Sequence, residues 1–274
     1  MIVRGLFVPN TPTLLDVTPR PDGFPAHSLT ISALASIGSN WQALDLDAIA
    51  VISPHFFSHD VIPFTGEATI PQIYDLDGFP ETFYAIRYPA IGAEDLAHEL
   101  QAQADDQRIP LKSVQGWGLD HGAWAPLSRM FATPPCPILA IGHGRKVALD
   151  THQKAGNLLA EAARHLRLGV IATGSLYHRL DRWTGHEQPV PKLADHAFHI
   201  LLNLLLKGEF TAALQLDSHL TKELAPEGDL KTLAILIGAL TNVICEIHDW
   251  AEESEFGAVS LSTLEFIPKL QLQV

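Results

Sequence analysis

The 274-residue chain is 47% hydrophobic and 18% charged, a globular composition with no low-complexity run and no block of like charge. Its formal net charge of -13 excludes a nucleic-acid partner held through phosphates, because that binding needs clustered Lys and Arg. The only cysteines, Cys136 and Cys245, each lie in an apolar setting, so a disulfide framework is excluded and both read as buried thiols.

The length permits a single domain over residues 1–274, and no linker or internal repeat divides it. The apolar stretch that starts at Met1 is too short for a secretory signal and has no small-residue cleavage pattern after it. A cytoplasmic location is therefore the expectation. Leu230–Ile244, interrupted by Lys231, Thr232, Thr241 and Asn242, falls short of the roughly 20 apolar residues that span a bilayer. It predicts a buried helix, and no membrane partner.

In chain order, a first strand is predicted at Ile2–Val8, a helix at Ser28–Leu44, a second strand at Ala48–Ser53 and a helix at Glu94–Ala104. A strand at Pro137–Ile141, a helix at Leu149–Leu166 and a strand at Leu168–Thr173 follow. Helices are then predicted at Lys192–Leu206, Thr211–Leu216 and Leu230–Trp250, before a last strand-like run at Gly257–Ile267. Short β-branched runs alternating with helical spacing imply an α/β fold, one domain with a central, largely parallel or mixed sheet flanked by helices. In such sheets ligands bind outside the carboxyl ends of the strands. Asn10, His55, His143 and His178 each follow a predicted strand, so polar groups converge on one rim.

His55 follows Ser53-Pro54, where proline imposes an extended approach that carries the imidazole past the sheet edge. It suits a ligand or acid/base role, and a hydrogen-bonded loop histidine is the plain alternative. His121 lies in Gly116-Trp117-Gly118-Leu119-Asp120-His121-Gly122-Ala123-Trp124, whose glycines allow close backbone approach while Trp117 and Trp124 offer pocket walls. Both tryptophans could equally be core. His178 follows a Gly174-Ser175 turn, and an imidazole there can accept and return a proton near neutrality. Glu227 and Asp229 precede the buried helix; either could cap it, or complete a two-histidine, one-carboxylate iron site. Asp75-Leu76-Asp77-Gly78 fails as a calcium loop because Ile86 stands at the twelfth position, and no phosphate-binding glycine motif occurs.

Taken together, Gly118-Leu119-Asp120-His121-Gly122-Ala123-Trp124, Ser53-Pro54-His55 and Thr173-Gly174-Ser175-Leu176-Tyr177-His178-Arg179-Leu180 resemble the motifs of class III extradiol ring-cleavage dioxygenases. Tyr74-Asp75-Leu76-Asp77-Gly78-Phe79-Pro80 is similar to the DOPA-dioxygenase branch. The resemblance implies a catecholic substrate, dioxygen and a ferrous cofactor, with a homo-oligomer among the expectations. It implies His55 as a metal ligand, Glu227 in preference to Asp229 as the carboxylate, His178 as acid/base and His121 as the histidine that contacts substrate or oxygen. Trp117 and Trp124 are the candidate substrate walls. Asn10 stands where the family has its first histidine ligand, and an amide is the weaker donor for iron. Zinc or no metal therefore remain alternatives to iron, and a metal-free or weakly metallated binding relative, as in the Memo branch of the fold, remains the alternative function.

Overall fold

The structure is a computed structural model that describes residues 1–269 except 22, 24 and 242. The strands are β1 (Ile2–Val8), β2 (Ala48–Ser58), β3 (Ile62–Thr65), β4 (Thr69–Ile70), β5 (Ala90–Ile91), β6 (Leu111–Ser113), β7 (Ile138–Gly144), β8 (Leu168–Thr173), β9 (Cys245–Glu255) and β10 (Val259–Pro268). Eight of them form one mixed sheet in the order β6-β3-β7-β2-β8-β1-β10-β9, and β4 pairs with β5 apart from it. The central pairs β7/β2, β2/β8 and β8/β1 are parallel, as expected for crossover units, whereas β1/β10 and β10/β9 are antiparallel.

The helices are α1 (Ser28–Gln42), α2 (Glu81–Tyr84), α3 (Glu94–Asp106), α4 (His121–Met130), α5 (Leu149–Ala162), α6 (Lys192–Leu206), α7 (Phe210–Leu214), α8 (Ser218–Leu224) and α9 (Lys231–Ala239). Strand alternation decides which layer each residue joins. In β2, Ala48, Ala50 and Ile52 enter the core beneath α3, α5 and α9, while Ile49 and Val51 enter the core beneath α1 and α4. All nine residues of α9 are buried. Its close approach to α5 needs a glycine: a Cβ at Gly238 would lie 2.0 Å from the Gln153 carbonyl oxygen. No helix among the described residues is long and apolar enough to cross a membrane.

The structure departs from the sequence expectations in three places. The helix expected over Leu230–Trp250 stops at Ala239, and Cys245–Glu255 forms β9 instead. Ten register pairs with β10 hold that strand, a long-range partner that local spacing does not reveal. Residues from His121 onward, where the sequence reading placed no helix, form α4, capped by the Asp120 side chain accepting from the Ala123 amide. Cys136 and Cys245 are free and half-buried rather than fully buried.

Candidate active site

The site is built where the parallel strands end. In β2 the ladder with β7 runs to Ile52↔Ile141 and resumes only at Phe57↔His143, so Ser53–Phe56 leave the sheet as a bulge. Pro54 has no N–H to give the ladder, and Gly142 makes room, since a Cβ there would sit 2.0 Å from the Phe56 carbonyl oxygen. The bulge presents the His55 imidazole. It is pinned from behind: Ser53 Oγ donates to Asp120 Oδ1 at 2.6 Å, and the His55 amide donates to Ser53 Oγ at 3.2 Å.

Asn10 follows β1, where Thr11 opens the short 3-10 turn Pro12–Leu15. Gly174 follows β8 with φ 143°, a conformation that favours glycine, and its amide donates to the Val8 carbonyl. Glu227 arrives from across the molecule, its amide donating to the Ser175 carbonyl at 3.0 Å. It is delivered by a turn in which Gly228, Asp229 and Leu230 are all left-handed, with φ of 62°, 56° and 62°. Two of these are not glycine, a backbone cost of roughly 1 kcal/mol each that the surrounding packing must offset.

These pieces bring Asn10 and His55 onto the Glu227 carboxylate. Asn10 Nδ2 donates to Glu227 Oε1 at 3.1 Å, and His55 Nε2 lies 3.2 Å from the same oxygen. Glu227 Oε2 is buried with no hydrogen-bond partner. On the other side of the His55 ring, Nδ1 lies 3.6 Å from Asp75 Oδ2. Asp75 also holds His121, through its Oδ2 at 2.9 Å from Nδ1 and its Oδ1 accepting from the His121 amide at 2.7 Å. Ligand atoms of His55, Asp75 and His121 all lie within 4.8 Å of one another, close enough to share a cation.

The electrostatics follow from this crowding. Burial works to raise the Glu227 carboxyl, but the His55 hydrogen bond, the charges of His178 and His55 and the Asn10 amide hold it down to about 2. Burial likewise opposes protonation of His55, and the Glu227 hydrogen bond and charge, with Asp120 and Asp75, outweigh it and raise that imidazole above its ordinary value. Asp75 is lowered despite burial, chiefly by its hydrogen bonds and charge interaction with His121. Asp120, buried behind the bulge, is raised.

A cavity of about 330 Å³ opens over this cluster. His178 and Ser175 line one side, Phe79 and Trp183 supply aromatic surface, and Glu255 lies in the wall beside Thr11. That volume suits a single ring with a short substituent.

Of the residues singled out from sequence, Asn10, His55, His121, His178 and Glu227 meet at this cavity. Asp229 does not: its side chain is 84% exposed and 3.4 Å from Lys231 Nζ. Neither acid caps α9, whose first turn has no side-chain cap. Trp117 and Trp124 are not its walls. Trp124 is fully buried with its indole N–H donating to the Ile73 carbonyl, and Trp117 stacks on Phe56 behind the bulge. Asp75 was missed, although it lies within the Tyr74–Pro80 motif.

A sequence profile for the catalytic LigB subunit of aromatic ring-opening dioxygenase matches residues 11–260. The chain is 28% identical over 211 residues to "4,5-DOPA dioxygenase extradiol" of Escherichia coli (strain K12), covering 72% of this chain and 77% of that protein. It is 32% identical over 133 residues to the protein of the same name from Beta vulgaris, covering 48% of each. The crystal structure of an uncharacterized protein from Escherichia coli K12 superposes with a TM-score of 0.72 at 22% identity, covering 96% of this chain and 99% of that one. At that identity the likeness shows the fold.

Proposed function

Because the chain belongs to the family of LigB catalytic subunits of aromatic ring-opening dioxygenases, we propose that it opens a catecholic ring with dioxygen, using a ferrous ion held by His55, Glu227 and Asn10. The observation that carries this reading is Glu227 Oε2, a buried carboxylate oxygen left without a partner beside an imidazole and an amide. A cation would satisfy it. The asparagine amide offers a carbonyl oxygen as well as the N–H it now gives to Glu227. Asp75 Oδ2 stands 3.6 Å from the far nitrogen of His55, outside hydrogen-bond reach here but on the side from which a carboxylate commonly orients a ligating imidazole.

When bound, ferrous iron supplies chelation of the two ring hydroxyls and activation of dioxygen, chemistry that no side chain provides. The chain's own groups do the rest. His178, on the cavity wall, accepts a proton from a ring hydroxyl at its imidazole nitrogen and returns it as the ring opens. Asp75 fixes the orientation of His121, which faces the same space. Phe79 and Trp183 hold the ring plane and keep out water.

The second reading, a metal-free or weakly metallated binding relative, is favoured by the amide at Asn10, which the Glu227 carboxylate already engages. Oxygen uptake coupled to a ring-opened product decides between them. Wild type loaded with ferrous iron should consume catechol and dioxygen one to one, and His178→Gln should lower kcat by about 100-fold or more while leaving metal content intact. Catechol bound but never consumed would favour the binding relative.

A further inference from the structure

His55 has two ring nitrogens, and the Glu227 side engages only Nε2. Glu227 Oε1, 3.2 Å from Nε2, favours the neutral tautomer with its proton there, which leaves Nδ1 as a lone pair turned toward Asp75 Oδ2 at 3.6 Å. Two electron-rich atoms so placed repel unless a proton or a cation lies between them. His121 adds a third. It is 7% exposed, and its Nδ1 lies 2.9 Å from the same Asp75 oxygen, yet that nitrogen is buried without an aligned hydrogen bond among the described residues. A proton on His55 would not serve it. The Asp75 carboxylate cannot turn away, because its Oδ1 accepts from the His121 amide at 2.7 Å and Oδ2 is thereby fixed toward both rings. The ring centroids stand 4.0 Å apart at a tilt of 55°, and the three ligand atoms lie within 4.8 Å of one another.

We propose that this face of His55 is a second cation site, in which His55 Nδ1, Asp75 Oδ2 and His121 Nδ1 hold zinc, and that zinc bound there excludes iron from the Glu227 side. The donors select the ion. Two imidazole nitrogens and one carboxylate oxygen make a three-ligand zinc set, and the cavity leaves a fourth position to water. The Glu227 side offers one imidazole and two oxygens, the harder set. Zinc stands above ferrous iron in affinity for nitrogen ligands, so the two-imidazole face takes zinc first. A neutral imidazole coordinates through one nitrogen and keeps its proton on the other, so His55 serves one ion at a time. The exclusion of iron rests on the ring-opening reading of the Glu227 side, whereas zinc binding does not.

Metal-free wild type, His121→Gln and Glu227→Gln are dialysed against zinc and, separately and without oxygen, against ferrous iron. Zinc should bind wild type at one equivalent, weaken at least ~100-fold in His121→Gln, and stay within about 3-fold in Glu227→Gln, whose amide oxygen still accepts from His55 Nε2. Ferrous iron should show the reverse pattern, and one equivalent of zinc should weaken its uptake by wild type at least ~10-fold. Nitrogen NMR spectra of histidine-labelled wild type need no variant, so a misfolded substitution would not obscure them: zinc should shift the Nδ1 of two imidazoles. A single shifted Nε2, zinc binding that is lost in Glu227→Gln or kept in His121→Gln, no zinc binding at all, or zinc and iron held together at full affinity overturns the inference. Failure of wild type to bind iron while zinc binds through two Nδ1 atoms overturns the iron reading and leaves the zinc site standing.

Discussion

Glu227→Gln should weaken ferrous binding by at least ~100-fold and abolish ring opening with it, while the metal-free variant still unfolds cooperatively. Glutamine keeps the shape and can still receive the Asn10 amide. It removes the negative charge that the site holds against burial, the carboxyl being kept down to about 2 by His55, His178 and Asn10. With an amide already in the Asn10 position, no other carboxylate among the described residues bonds that amide and remains to neutralise a divalent ion. Equilibrium dialysis with ferrous iron measures the loss directly. Retention of tight binding in Glu227→Gln, with loss in Asp75→Asn, would move the metal to the His55, Asp75 and His121 group.

Acid should destabilise the fold well above the usual carboxylate range, because two buried histidines resist protonation. Burial pushes His143 and His152 down to about 4, helped by the nearby charge of Lys231. His143 Nε2 lies 3.2 Å from the Pro54 carbonyl under the bulge, and His152 Nε2 accepts from the Gly144 amide while its Nδ1 donates to the Ala148 carbonyl. Above about pH 6.5 both are neutral folded or unfolded and cost nothing. As pH falls from there, the unfolded chain takes up protons that the folded chain refuses, and stability drops until the folded imidazoles also titrate near 4. Each contributes a loss on the order of 2 kcal/mol across that window. His55, raised in the folded state, acts in the opposite sense, adding stability below its unfolded value and losing it as pH rises. His152→Gln can both donate to Ala148 and accept from Gly144 without titrating. Urea unfolding at pH 7.5 and 4.5 should therefore show a loss about 2 kcal/mol smaller in His152→Gln than in wild type. An unchanged difference would mean that His152 does not carry this dependence.

The parts of the molecule legible in the sequence are those set by local pattern. β1 and β8 have the bounds that their β-branched runs predict, and α6 runs from Lys192 to Leu206 as its spacing predicts. Proline before His55 and glycine after Thr173 mark where chains leave the sheet, which is why His55 and His178 were found. What depends on distant partners was hidden. β9 carries no strand signal strong enough to outweigh the preceding apolar helix, and only its pairing with β10 makes it a strand. Asp75 lies 46 residues from the His121 it holds, and nothing near it in the chain tells an orienting carboxylate from a turn acid. Trp117 and Trp124 flank a site histidine, yet a tryptophan beside a site and a tryptophan beneath it have the same local sequence. Which of Glu227 and Asp229 faces the cavity was likewise hidden, because the left-handed turn that points one acid inward and the other to solvent has no local signature.

The Asn10, His55 and Glu227 cluster should bind a catalytic metal despite its amide. Anaerobic titration of metal-free protein with ferrous iron, alongside His55→Ala and Asn10→His, tests it most directly. One equivalent per chain in wild type, lost in His55→Ala and bound more tightly in Asn10→His, is the result the site geometry predicts. No iron in wild type but uptake by Asn10→His would contradict it and favour a protein that keeps the pocket for binding alone.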